Sequence, residues 1–198
     1  MEEEIKPKII KILEENHDQF LIYNQEINID FLRKNKIDFI VSYGYKFIIK
    51  ENIINQFKGK LINLHISFLP YNRGSHPNLW SHLEDSPCGV SIHKINEGID
   101  KGEILLQKQI IFDTREHTFK SSYLILREEI EKLFKINWQL LKQDKIKSII
   151  ISTKGSYRNK KEGDNILKLF KDGWDTKIEL GIKIYKDNLI KESAYQFK

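Results

Sequence analysis

The sequence has 198 residues, 40% of them apolar and 31% charged, with a formal net charge of +5 and a single cysteine, Cys88. That length allows one sizeable core, and the composition excludes an internal disulfide, a cysteine-rich metal site and any apolar run long enough for a membrane-spanning helix. No basic segment followed by an apolar stretch opens the chain, so a cytoplasmic protein without a secretory leader is expected.

In chain order, Ile5, Ile9, Ile12 and Leu13 share one helical face and predict a helix to about Glu15, with Pro7 in its first turn. Residues 20–23 read as a short strand, 30–35 as a brief helix and 37–42 as a buried strand. An apolar loop over 43–49 follows, then a helix over 51–57 closed by Gly59. A further strand opens at Leu61 and Ile62. This alternation of helix and strand argues for an α/β fold, a mostly parallel sheet with covering helices. Asn63 and His65 fall on the same side of the strand, and Ser67, Pro70, Gly74 and Pro77 end regular structure beyond them. The polar pair therefore stands where a strand runs out into a loop, the edge at which open α/β sheets bind ligands.

Ser75 or His76 is placed to cap a helix that includes Trp80 and Leu83 and stops before Pro87. Residues 89–95 and 104–112 read as strands flanking a tight turn at 97–102, and so short a connection makes them antiparallel. Phe119, Tyr123, Leu126, Ile130, Phe134 and Leu141 trace one face of a long helix with Thr118 as its N-cap. Residues 146–152 read as a strand, 154–163 as a mobile basic loop, and Asp164 as the cap of a short helix ended by Gly173. Residues 174–197 read as an irregular or strand-rich segment. The domain reading is one α/β domain over 1–152, with a C-terminal appendage over 153–198 packed on it.

An Asn beside a His, with an Asp brought close by a second strand, suits transfer of an acyl group to an amine. The Asn63 amide can donate to the oxyanion of a tetrahedral intermediate. His65 can donate to the same oxygen or shuttle a proton, and Asp100 can orient His65 or hold the water that receives the amine's proton. Neither Cys88 nor Ser67 has an assigned base, so direct attack by the amine is the simpler mechanism. Singly, each residue also has a plainer role. Asn63 and His65 can satisfy a loop, Asp100 can close an Asx-turn before Gly102, and His93 reads as a hydrogen-bonded structural residue on an apolar strand.

Together, Asn63-Leu-His65-Ile-Ser67-Phe-Leu69-Pro70-Tyr-Asn-Arg73-Gly74, Gly89-Val-Ser-Ile-His93 and Glu97-Gly-Ile-Asp100-Lys-Gly102 resemble the formyltetrahydrofolate-dependent formyltransferase family. That family includes glycinamide ribonucleotide transformylase, methionyl-tRNA formyltransferase and the sugar-nucleotide N-formyltransferases. The resemblance, over about residues 38–144, implies a Rossmann-like formyltransferase fold with Asn63, His65 and Asp100 as catalytic residues. It implies 10-formyltetrahydrofolate as co-substrate and no metal. The folate ring would lie against Tyr43, Gly44, Tyr45, Phe47 and Ile48 of the loop and against Lys94, Ile95, Asn96, Glu97 and Gly98 of the turn. Ser67, Arg73 and His76 are placed with the acceptor.

Two departures shape the expectation. The family begins with a strand and an acceptor-holding loop, whereas a charged helix stands here, so the start reads as shortened. Too few residues follow Ser152 for the C-terminal barrel of methionyl-tRNA formyltransferase, which argues against initiator tRNA. The expected acceptor is a small amine, first a nucleotide-linked amino sugar. The alternatives are a folate- or nucleotide-binding protein without turnover and a nucleic-acid module around residues 154–161. No membrane partner is expected, and a homodimer is compatible with an exposed sheet edge.

Overall fold

The computed structural model describes residues 6–150 and 153–195. Its elements are helix α1 (Lys6–Glu15), helix α2 (Ile29–Lys34), strand β1 (Ile40–Ser42), helix α3 (Glu51–Gln56), strand β2 (Leu61–His65), strand β3 (Arg73–Gly74) and helix α4 (Pro77–Leu83). Strands β4 (Gly89–Lys94) and β5 (Ile104–Gln109), helix α5 (Phe119–Lys142), strand β6 (Tyr157–Arg158), helix α6 (Lys160–Leu167), a 3-10 turn at Gly173–Asp175 and helix α7 (Ile178–Tyr195) follow. The expected α/β fold is present. One sheet has the order β1-β2-β4-β5, with β1 parallel and β4 antiparallel to β2, and β3 pairs with β6 in a small parallel ribbon. Lys94 N donates to Glu103 O and Ile110 N to Cys88 O, so β5 runs antiparallel to β4 as the short turn predicts. Among the described residues no helix is long and apolar enough to cross a membrane.

The chain divides into two compact units, the first being the described parts of Met1–His65, Ser91–Leu106 and Glu129–Ile151. Its core gathers Ile27, Leu32, Ile53, Phe57 and Leu61. The Asn28 side chain caps α2 by accepting from Phe31 N at 2.9 Å, which satisfies one of the amides a helix start leaves open. β1 is shorter than the 37–42 expected because Ile37 N donates back to Leu32 O and closes the end of α2. Residues 20–23 are not a strand. Phe20, Leu21 and Ile22 are all about half-exposed, with no alternation between faces, and β1 is an edge whose only neighbour among the described residues is β2. The strand expected over 146–152 reduces to one antiparallel bridge, Ile104 to Ile149; residues 151–152 lie outside the described residues.

The second unit is the described part of Ile66–Val90, Gln107–Glu128 and Ser152–Lys198. Leu79, Trp80, Leu83, Phe119, Phe170 and Ile178 form its core, with the Phe119 and Phe170 rings stacked at 5.4 Å. The buried Asn78 amide donates to Phe119 O and accepts from Ser122 Oγ, so burial leaves it satisfied. Thr118 caps α5 as expected, exchanging side-chain-to-backbone bonds with Ser121. Residues 174–197 prove largely helical rather than strand-rich; 196 and 197 lie outside the described residues. Gly181 explains how α7 packs. A Cβ there would stand 2.4 Å from the Phe119 ring, so only glycine lets the helix approach. The segment read as a mobile loop over 154–163 is ordered: Arg73 pairs with Tyr157 and Gly74 with Arg158. An Asn159–Glu162 capping box then starts α6. Asp164 consequently sits inside that helix rather than at its cap.

His82, on α4, meets the edges of Phe112 and Phe119, and its Nε2 has no hydrogen-bond partner among the described residues. Burial, and then the neighbouring His117, push its pKa down from 6.5 to about 4. The folded pKa lies below the unfolded one, so above pH 6.5 the ring is neutral in both states. Between 6.5 and 4 only the unfolded chain takes up the proton, and stability falls as pH falls. The loss reaches about 3 kcal/mol, at roughly 1.36 kcal/mol per pKa unit. In urea titrations a His82→Leu variant is expected to lose less stability than wild type over this acid window. Equal acid slopes would remove His82 as the cause.

Candidate active site

Alternation along β2 turns Leu61, Asn63 and His65 to one face. The antiparallel register sets Asn63 opposite His93 and His65 opposite Ser91, so their side chains share that face. β1 contributes from the other side, with Ser42 opposite Asn63. The loop over 43–49 therefore leaves β1 at the level of the Asn63 side chain.

The turn after β4 returns a carboxylate to this face. Asn96 Oδ1 accepts from Gly98 N at 3.0 Å, an Asx-turn, and Asp100 adopts φ of 50°, a left-handed conformation that Asp tolerates better than most residues. At Gly102 a Cβ would lie 1.7 Å from Lys94 O, so the backbone doubles back there only because no side chain intervenes.

The result is a compact polar cluster within the first unit. Asn63 Nδ2 donates to Asp100 Oδ1 at 3.2 Å and lies 3.2 Å from His93 Nε2. His65 Nε2 stands 3.6 Å from Asp100 Oδ2, and His93 Nε2 3.4 Å from Asp100 Oδ1. His93 Nδ1 is 2.8 Å from Lys94 O. Only 10% of the His65 side chain and 12% of that of Asp100 remain exposed. A charge placed there is poorly screened by water, which strengthens its pull on these donors.

The structure thus brings Asn63, His65 and Asp100 together and adds His93, expected from the sequence to be only a hydrogen-bonded structural residue. The signal was the shared parity of Ser91 and His93; using it required knowing that β4 pairs with β2 antiparallel.

The residues expected to face a folate divide by orientation. Tyr43 OH donates to Glu131 Oε1, and Tyr45 OH donates to Gln25 O while accepting from Ile27 N, so these two hydroxyls anchor the loop. Gly44 supplies a positive φ of 64° between them. Phe47 and Ile48 are exposed apolar groups, as is Ile99 beside Asp100. Lys94 Nζ pairs with Glu103, Ile95 N donates to Leu61 O, and Asn96 and Glu97 are exposed.

Ser67, Arg73 and His76 belong to the second unit. Ser67 Oγ donates to Tyr71 O, and Arg73 Nε donates to Ser156 O at 3.3 Å. His76 holds the N-cap position of α4 in a left-handed conformation without a side-chain capping bond. Its Nε2 lies 3.0 Å from Asp164 Oδ1. Ser75 is not a cap: its N–H donates to Arg158 O and extends the β3–β6 ribbon. Burial pushes the Cys88 thiol up, and Ser81 Oγ donates to it, so no thiolate is poised there.

Amide and imidazole donors converging beside a carboxylate can polarise a carbonyl and accept a proton from an incoming nucleophile. Residues 5–134 match the formyl transferase family, and the chain belongs to that family. Among solved structures, it is similar to the formyltransferase PseJ from Anoxybacillus kamchatkensis, in complex with UDP-4,6-dideoxy-4-formamido-L-AltNAc and tetrahydrofolate. The two are 42% identical with a TM-score of 0.82, over 86% of this chain and 90% of that one. A methionyl-tRNA formyltransferase from Finegoldia magna is 41% identical over 91 residues, 46% of this chain and 29% of that protein. The bifunctional polymyxin resistance protein ArnA of Wigglesworthia glossinidia brevipalpis is 36% identical over 124 residues, 60% of this chain and 18% of that protein. The chain therefore spans less than a third of the length of these two curated relatives.

Proposed function

We propose that the protein transfers a formyl group from 10-formyltetrahydrofolate to the amine of a nucleotide-linked amino sugar. The observation that carries the reading is the meeting of Asn63, His65 and Asp100 at the end of β2. The apolar surfaces of Phe47, Ile48 and Ile99 fit a flat donor ring. They are exposed on the loop that leaves β1 at the level of Asn63 and on the turn that carries Asp100.

The donor supplies an electrophilic carbonyl carbon bound to nitrogen. As the acceptor amine bonds to that carbon, the electron pair moves onto oxygen, where an Asn63 N–H and the His65 Nε2–H donate to it. The Asp100 carboxylate, 3.6 Å from His65 Nε2, favours a proton on that nitrogen, and it takes the proton the amine must lose, directly or through water. The leaving nitrogen takes up that same proton from Asp100, directly or through water, as its bond to carbon breaks. The site thus ends in its starting protonation state.

The sugar acceptor is favoured because the 42%-identical PseJ structure, solved with a UDP-linked formamido sugar, matches along most of both chains. The methionyl-tRNA formyltransferase match covers 29% of that relative. The test offers 10-formyltetrahydrofolate with a panel of UDP- and dTDP-linked amino sugars, glycinamide ribonucleotide or initiator methionyl-tRNA, and mass spectrometry reads the acceptor. Formylation of an amino-sugar nucleotide supports the proposal; formylation of methionyl-tRNA alone overturns its acceptor, and turnover on none overturns the activity.

A further inference from the structure

We propose that His93 is a positioning residue of this centre, holding the Asn63 amide through a ring tautomer dictated by the Lys94 carbonyl. The inference rests on the formyl-transfer reading for its kinetic consequence, while the hydrogen-bond arrangement itself stands on geometry alone.

His93 Nδ1 lies 2.8 Å from Lys94 O. A carbonyl oxygen only accepts, so the bond requires the proton to be on Nδ1. In the neutral ring Nε2 then presents a lone pair, and Asn63 Nδ2 stands 3.2 Å from it. The other Asn63 N–H goes to Asp100 Oδ1, also at 3.2 Å. Both amide hydrogens are thereby assigned. The nitrogen faces His93 and Asp100, and the amide cannot turn its oxygen toward them without opposing two acceptors.

His93 can hold this geometry because it is itself held. It is opposite Asn63 in the strand register and 2% exposed, and its ring stands nearly perpendicular to that of His65 at 6.2 Å. The same carbonyl that sets its tautomer is the one Gly102 packs against, which ties His93 to the turn bearing Asp100. A neutral lone pair also competes less strongly for an N–H than a developing oxyanion does. His93 therefore aligns the Asn63 amide while leaving one of its hydrogens available to the reaction.

Two substitutions separate this role from packing. In His93→Gln the side-chain amide reaches the position of Nε2 and can offer Asn63 an oxygen. In His93→Asn the shorter amide overlays Nδ1, keeps the Lys94 bond and offers Asn63 nothing. The expected result is that His93→Asn lowers kcat by about tenfold to a hundredfold, with the KM for the formyl donor nearly unchanged. His93→Gln is expected to recover most of the loss. Equal kcat in the two variants, or a loss confined to KM, would overturn the proposal.

Nitrogen NMR of isotope-labelled histidine in the wild-type protein needs neither variant nor acceptor. It is expected to show His93 protonated on Nδ1 and bare on Nε2, with the Nε2 resonance moving in Asn63→Ala. A proton on Nε2, whether in the opposite tautomer or in a ring protonated on both nitrogens and paired with Asp100 Oδ1, would overturn the proposal even if both variants misfold. If the wild type formylates no acceptor, the functional reading fails, and the NMR result still decides the hydrogen bond separately.

Discussion

Asn63→Ala is expected to lower kcat for formyl transfer by about 10²–10³, the usual cost of removing one donor aimed at a developing oxyanion. Binding of the formyl donor should change little, because in the proposed mechanism the amide serves charge that appears only in the transition state. Asn63→Asp sharpens the test. The carboxylate occupies nearly the same volume, so packing against His93 survives, yet it has no N–H and would oppose Asp100, the present partner of the amide. We expect it to fall at least as far as the alanine variant. Stopped assays of kcat and KM for both variants check this, and an Asn63→Asp enzyme near wild-type kcat would show that Asn63 is a packing residue.

The second large effect is expected at Gly102. An alanine methyl would be placed 1.7 Å from Lys94 O and 2.6 Å from Lys94 C, with His93 Nδ1 at 3.5 Å. These first obstacles are backbone rather than the end of a flexible side chain, so the turn must move. Moving it displaces Asp100 and loosens the carbonyl that holds His93 Nδ1. Overpacking of this kind costs about 1–3 kcal/mol, and a shift of about 1 Å at reacting groups can cost about a hundredfold in rate. Gly102→Ala should therefore show a lowered urea midpoint together with a loss of kcat comparable to that of Asn63→Ala. Wild-type activity in a destabilised Gly102→Ala protein would mean that the turn relaxes without carrying Asp100 away.

The same turn shows what could be read from sequence. β2 and its polar pair were legible because alternation is a local property, and the glycine after Asp100 announced a tight return. The partnership of Asn63 with His93 depends on a register between strands 30 residues apart, and no local pattern supplies that. α7 failed for a different reason. Its Ile178, Ile182, Ile184 and Tyr185 are β-branched or aromatic and mimic a strand, whereas the helix is decided by packing on Leu79, Trp80, Phe119 and Phe170. Propensity gave way to tertiary contact there.

Residues 154–163 suggest a mobile basic loop because lysines and glycines make up half of them. Their order comes from two features outside composition: a two-residue ribbon with β3 and the fixing of Arg158. The Arg158 guanidinium lies 4.7 Å over the Trp80 ring and pairs with Glu84 and Glu162. Residues 20–23 failed in the opposite direction. Their composition suits a strand, but among the described residues no neighbouring strand offers them hydrogen bonds, and a lone strand cannot satisfy its own backbone.

Asn63, His65 and Asp100 are proposed to work together as one formyl-transfer centre. A double-mutant cycle on Asn63 and Asp100 tests it most directly, read as single-turnover transfer of a radiolabelled formyl group from 10-formyltetrahydrofolate to the acceptor amine. Residues acting as a unit are strongly non-additive. Asn63→Ala/Asp100→Ala is expected to be slower than the worse single variant by no more than about tenfold. Losses that multiply across the two sites would contradict it, as would transfer in the double variant at the wild-type rate.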